Sequence, residues 1–246
     1  MRNDSSYELY YWPDIQGRGE FVRLALEEGG AKYIDVARRA ESSGMGVPAL
    51  LRVMNATDAV NPSFAPPFIK VGEQVIGQTA NILLFLGPLL ALVPKDETQR
   101  LWVHQLQLTV ADLVAEVHDV HHPISVNLYY KDQKPEAKRR ADDFKDTRIP
   151  KFFDYFEKIL RNNPQGTQFM VGEALTYVDL SLFQVMEGLR YAFPKAMKKI
   201  EPGYPLLCAL HQRIARRPRI ARYLKSARRI AFTKDGIFRH YKELDG

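Results

Sequence analysis

The chain of 246 residues has almost no cysteine: Cys208 stands alone. An internal disulfide is excluded, and a lone cysteine fits a reducing compartment, so the expected location is cytoplasmic. There is no C-x-x-C pair and no cysteine near the first predicted helix, which argues against thioredoxin-type redox chemistry. Long apolar runs are also missing. Stretches such as "ILLFLGPLLALVP" are broken by Gly87 and Pro88 and are too short to span a bilayer, so no membrane partner is expected. The opening "MRNDSSYELYYW" holds no apolar signal core. What is present is an ordinary supply of core and surface. Apolar residues make up 46% and charged residues 26%, enough for one large domain or two modest ones. The net charge of +6 is concentrated in "HQRIARRPRIARYLKSARR". Leu210, Ile214, Ile220, Tyr223 and Leu224 keep a helical apolar stripe through that segment. This predicts a helix packed on a core with a solvated basic face, and no nucleic-acid partner.

Along the chain, residues 7–12 read as a buried strand and Gly17 to Glu28 as a helix stopped by Gly29-Gly30. "AKYIDVAR" reads as a second strand, parallel to the first because a helix lies between them. "VPALLRVMN" fits a short helix in a mobile loop, "PFIKVGEQVIGQT" a hairpin, and "TANILLFLG" a helix ended by Gly87 and Pro88. The pattern then turns wholly helical. "TQRLWVHQLQLTVADLVAEVHDVHH" predicts a long helix with Leu101, Leu108, Leu113 and Val117 inward. A second long pattern bends or divides near Pro150. Thr176 and Asp179 form a capping box, flanked by Leu175 and Leu180 as a hydrophobic staple. The fold class is therefore α/β followed by all-α: residues 1–90 form the first domain, and residues 91–246 form a helical bundle with a C-terminal tail.

A strand ending in "YYW", the "GRGEFVRL" helix, a "PP" before a hairpin and "GQT" opening the next helix together resemble the cytosolic glutathione transferases. The helical half agrees through "FMVGEALTYVDLSL" and "RIARRPRIARYLKS". "YYWPDIQGR" is similar to the tyrosine-dependent mu, pi, alpha and sigma classes, with one residue inserted. The resemblance runs from Tyr7 to about Ser226. It implies that the first domain is thioredoxin-like and binds glutathione, that the helical domain walls a hydrophobic small-molecule electrophile, and that the protein is a homodimer.

By the same resemblance Tyr11 is the catalytic residue, its hydroxyl donating to the glutathione sulfur. A free thiol has a pKa near 8.5, and a shift of about two units is worth roughly 2.7 kcal/mol and makes most of the thiol anionic at pH 7. Tyr10 faces the other side of the strand and is the competitor for this role. Arg18 is expected near the glutathione carboxylate or the thiolate. Gln78 and Thr79 open a helix whose free amides suit the γ-glutamyl carboxylate. Pro67 matches the family's cis-proline, and Pro66 occupies the place that normally pairs with the cysteinyl backbone. Pro66 has no N–H, so one such bond is lost. The preceding loop also lacks the tryptophan and lysine often found there; Arg38, Arg39 and Arg52 are substitutes, and Asp112 is the nearest candidate for the acid lent across a dimer. Tyr129 and Tyr130 stand where pi-like proteins place a co-substrate tyrosine. Phe232, Phe238 and Tyr241 in the tail either form a lid or dock on the helices.

His118, His121 and His122 share a helical face, but only Glu116 and Asp119 lie beside them, and no metal is expected. Cys208 reads as a small core hydrophobe. The expected activity is conjugation of glutathione to small hydrophobic electrophiles. A ligand-binding or assembly module on the same fold is the rival, followed by glutathione-dependent isomerase or peroxidase chemistry.

Overall fold

The computed structural model describes residues 6–246. The first five residues, part of the stretch read for a signal core, lie outside the described residues. Strand β1 (Tyr7–Tyr10) leads through a turn into helix α1 (Gly19–Gly29). Gly30 ends that helix with φ 66°, a left-handed conformation that costs glycine little. Strand β2 (Tyr33–Asp35) follows and pairs parallel with β1, Tyr7 opposite Tyr33. The predicted second strand is shorter than expected, because Val36–Arg38 coil into a 3-10 turn. Helix α2 (Gly46–Met54) is the short helix expected at "VPALLRVMN". Strands β3 (Phe68–Val71) and β4 (Gln74–Gly77) form the expected hairpin. β3 runs antiparallel to β1, so the sheet order is β2-β1-β3-β4.

Two apolar layers clamp the sheet. On one face Tyr7, Leu9 and Ile69 meet Val22 and Leu26 of α1 and Ile82 and Leu86 of helix α3 (Thr79–Leu89). On the other face Tyr10 and Phe68 meet Ala49 and Leu50 of α2. α3 does not stop at Gly87. It runs through Pro88 to Leu89, its last turn closed by the Leu90 N–H on the Leu86 carbonyl at 2.9 Å. In a terminal turn the proline forfeits one bond without breaking a long ladder.

The remainder is helical: α4 (Glu97–His121), α5 (Lys134–Asp143), α6 (Ile149–Asn162), α7 (Tyr177–Ala192), α8 (Pro194–Ile200), α9 (Pro205–Ala215), α10 (Pro218–Leu224) and α11 (Lys242–Asp245). One large core joins these helices, and Phe21, Leu24, Ala25 and Leu83 from the first part of the chain enter it. The inward stripe of α4 differs from the expected one. Leu113 and Val117 are buried, but Leu101 and Leu108 are exposed, and Val103, Leu106, Gln107 and Val110 take the inner positions. The polar Gln107 is tolerated there because its Oε1 accepts the Ser181 hydroxyl at 2.7 Å. The break expected near Pro150 is a π-helical turn at Phe144–Arg148, with the proline in the first turn of α6, where a missing N–H matters least.

The capping box closes as predicted. The Asp179 carboxylate accepts the Thr176 N–H at 2.7 Å and also the Met170 N–H at 2.8 Å. The arginine-rich segment packs against α1. Arg217 pairs with Glu28, Arg228 with Glu27 and Arg229 with Glu20, while Arg219 donates to the Glu28 carbonyl. Much of the basic charge is therefore spent inside the molecule.

Candidate active site

β1 ends on Tyr10, and Tyr11 follows it directly with different neighbours. Tyr10 stacks on Phe68 with centroids 4.9 Å apart, and its hydroxyl donates to Glu8 Oε2 at 2.7 Å. Burial is the main cause pushing its pKa well up, with the Glu8 bond adding to it. Tyr11 turns toward the start of α1. Its hydroxyl accepts the backbone N–H of Arg18 at 2.9 Å. The ring lies flat against Gly17 and Gly19, and a Cβ at either glycine would collide with it. Gly17 also has φ 46°, so glycine serves twice at that position: close approach and left-handed backbone.

Tyr11 is 4% exposed. Burial raises its pKa, opposed by the Arg18 N–H and by the charges of Arg18 and of Arg23, whose guanidinium carbon lies 5.8 Å from the ring centroid. The phenol therefore stays protonated at neutral pH. Its oxygen accepts an amide, so its own proton remains available to an outside acceptor.

A second group gathers at the mouth of α3. Gln78 adopts φ 65°, ψ 119°, a strained backbone for a residue with a Cβ. Thr79 follows, and its buried hydroxyl has no hydrogen-bond partner. Both line an open cleft of about 340 Å³, together with Arg18, Phe21, His104 and Gln107. The buried Nδ1 of His104 also lacks a partner, and burial lowers this histidine's pKa. A helix mouth with unspent amides, a free hydroxyl and a nearby guanidinium suits a carboxylate. Pro66 and Pro67 are joined by a cis peptide just before β3. Neither they nor Tyr11 line this cleft.

The structure separates Tyr129 from Tyr130. Tyr129 is 74% exposed, with the Lys131 ammonium 5.6 Å from its ring. Tyr130 is buried, stacked on Tyr241 at 3.8 Å, and its hydroxyl donates to Glu243. Of the two tail readings, docking on the helices is the observed one. Phe238 packs where a Cβ on Gly188 would be, Phe232 stacks on Tyr191 at 4.8 Å, and Asp245 accepts the N–H of Lys195 at 2.8 Å. The Nε2–H of His121 donates to the Ile237 carbonyl at 2.8 Å. His118, His121 and His122 do cluster, with ring centroids 4.8–5.2 Å apart.

In the loop before the cis-proline, Arg38 donates to the Ala227 and Arg228 carbonyls and Arg52 to the Gly44 carbonyl, so neither guanidinium is idle. Cys208 is half-buried and its thiol is pushed up by burial. Gln16 went unnoticed in the sequence. It is buried beside the site, and its partners lie 168 and 214 residues away, so no local pattern points to it.

Residues 118–227 match the family model described as "Glutathione S-transferase, C-terminal domain". The chain is 25% identical over 223 residues to a glutathione S-transferase of Plasmodium falciparum, covering 88% of this chain and 93% of the relative. It is 26% identical over 221 residues to Glutathione S-transferase P 1 of Xenopus laevis, covering 89% and 92%. Among solved structures, the pi-class glutathione S-transferase of Onchocerca volvulus superposes with a TM-score of 0.67 at 23% identity, over 89% of this chain and 92% of the other.

Proposed function

We propose that this chain, which is similar to glutathione transferases over most of its length, conjugates glutathione to small hydrophobic electrophiles, with Tyr11 as the residue that activates the thiol. The glutathione sulfur attacks an electrophilic carbon, a C–S bond forms, the leaving group departs with the electron pair, and the thiol proton passes to solvent. The observation that carries this reading is the Tyr11 hydroxyl held at the N-terminus of α1 by the Arg18 N–H. That bond aims the phenol's proton away from the helix. A donated hydrogen bond favours the thiolate over the thiol, and the helix terminus adds in the same direction. A hydroxyl kept protonated by burial is the form able to donate.

Arg18, Gln78 and Thr79 are the proposed hold on the glutathione carboxylates, supported by their shared cleft and the unpartnered Thr79 hydroxyl. Pro66 and Pro67 would offer backbone carbonyls but no N–H to the cysteinyl unit. In this reading residues 1–90 bind glutathione and residues 91–246 receive the electrophile. The assembly is a cytoplasmic homodimer. Its support is an exposed apolar face: Phe64 is 94% exposed, and Leu108 lines the glutathione cleft near it. No metal takes part.

The test is retention on immobilised glutathione together with turnover of a chloronitrobenzene. Tyr11→Phe is expected to lower kcat by about 10² while glutathione affinity changes less than about twofold. An unchanged kcat in Tyr11→Phe, with a loss in Tyr10→Phe, would move the role to Tyr10. One observation favours the rival binding module. The tail buries Tyr130 and covers the end of α4, so the expected electrophile wall is already occupied by Ile237, Phe238 and Tyr241. Absence of both retention and turnover would favour that module.

A further inference from the structure

Gln16 sits between α7 and the C-terminal segment and bonds to both. It is 5% exposed. Its Nε2 donates to the Ile230 carbonyl at 2.5 Å, at the root of the C-terminal segment, and its Oε1 accepts from Gln184 Nε2 on α7 at 2.7 Å. Gln184 in turn accepts from Arg229 at 2.9 Å, and Arg229 pairs with Glu20 of α1 at 2.6 Å. The backbone of Gln16 belongs to the Tyr11 seat. Its carbonyl accepts the Glu20 N–H at 3.0 Å and the Arg23 guanidinium at 3.3 Å. The next two residues, Gly17 and Arg18, are the ones that wall the Tyr11 ring and hold its hydroxyl.

Beyond Ile230 the segment is fastened to the helices at His121, Gly188, Tyr130 and α8. A buried primary amide with both ends spent on distant elements is costly to break and leaves two orphaned groups when broken. Its position is therefore set by whether the segment is docked.

We propose that Gln16 is a positioning residue that couples docking of residues 230–246 to the seating of the Tyr11 hydroxyl. The consequence for thiol activation rests on the proposed transferase function; the coupling itself does not. Gln16 does not line the cleft, and it acts by holding the peptide that delivers Gly17 and Arg18. When the segment lifts, the Gln16 amide loses its acceptor, the turn loosens, and the Arg18 N–H no longer holds the phenol.

The experiment uses the full chain, Gln16→Met (similar length, no amide), a truncation after Arg229 that keeps the Arg229–Glu20 pair, and the two combined. Two readouts are taken: hydrogen exchange of the Arg18 amide without ligand, and the apparent thiol pKa of bound glutathione from thiolate absorbance. Gln16→Met and the truncation are each expected to speed Arg18 exchange at least about tenfold and to raise the bound-thiol pKa by about one unit, a tenfold change in ionisation constant. Glutathione affinity should stay within about twofold, which separates positioning from general damage. In the truncated background Gln16→Met should add less than it does in the full chain, because the Ile230 acceptor is already gone and only the Gln184 bond remains to be lost. Unchanged Arg18 exchange, or effects of the two changes that add, would overturn the proposal. Should Gln16→Met fail to fold, Gln184→Met cuts the same network from α7 and must give the same direction. If the full chain leaves bound glutathione with its free-solution pKa, the transferase reading fails, while the Arg18 exchange still decides the coupling.

Discussion

In the proposed function Thr79 is a residue poor for the resting protein and good for a ligand. Its buried hydroxyl has no partner, and such a group costs about 1–3 kcal/mol. Thr79→Val keeps the shape and removes the hydroxyl. Calorimetry is expected to show glutathione binding weakened about tenfold, while thermal melts show a ligand-free protein as stable as the parent or about 1 kcal/mol more so. A fall in stability with unchanged affinity would assign Thr79 to packing. The same neighbourhood shows what single residues disclose in a sequence. Strand alternation separates Tyr10 from Tyr11, and the structure gives them different neighbours. Arg18 attracts notice for its charge, yet the group that touches Tyr11 is its backbone N–H, which every residue but proline carries. Gln16 gives no signal, because a lone glutamine acquires meaning only from partners brought in by the fold.

Several helix ends and turns were readable from local rules, namely the Thr176–Asp179 box, the Gly30 stop and the β3–β4 hairpin, whereas the Gly87-Pro88 stop failed because a terminal turn tolerates the proline. The inner face of α4 was not readable either. Leu101 and Leu108 look like core residues by type, whereas the polar Gln107 is inside because Ser181 satisfies it from another helix. Two elements carry tests of their own. Burial pushes the Asp179 carboxyl up to about 6, while the Met170 and Thr176 donors hold it down. The unfolded carboxyl titrates near 3.9, so between about pH 4 and 6 the folded chain binds more protons. This group alone then makes stability fall as pH rises through that window and level off above it. Denaturant unfolding from pH 4 to 7 is expected to lose this slope in Asp179→Asn; an identical slope would refute the assignment. On α7, Gly188→Ala places a methyl inside the Phe238 ring. The helix is expected to keep its fold, since alanine is the better helix former, while the tail is displaced. Limited proteolysis should then cut within residues 231–241 at least about tenfold faster, and an unchanged cleavage rate would mean that Phe238 repacks without leaving.

The large core explains why the division near residue 90, plain in the pattern of strands and helices, is not a seam in packing. α1 and α3 face the sheet on one side and feed Phe21, Leu24 and Leu83 into the helical core on the other. The basic segment looked like a surface feature because its acidic partners, Glu20, Glu27 and Glu28, lie almost 200 residues earlier. One apolar surface has no partner within the described residues. Phe64 and Val60 stand out, 94% and 92% exposed, and their loop adjoins the cleft containing Leu108 through the shared residues Gln78 and Asn81. Patches of this kind mark interfaces. Sedimentation is expected to give a dimer for the parent chain and a monomer for Phe64→Glu at the same concentration; a monomer in both would remove the homodimer from the proposed function.

The docked tail also bears on how the molecule is made. Gln16 leaves the ribosome 214 residues ahead of Ile230, whose carbonyl it must wait to meet. Asp245 caps α8, and the Gly246 carbonyl meets the Lys195 ammonium. A bulky group attached at Gly246 would burden the very residues that fasten the tail.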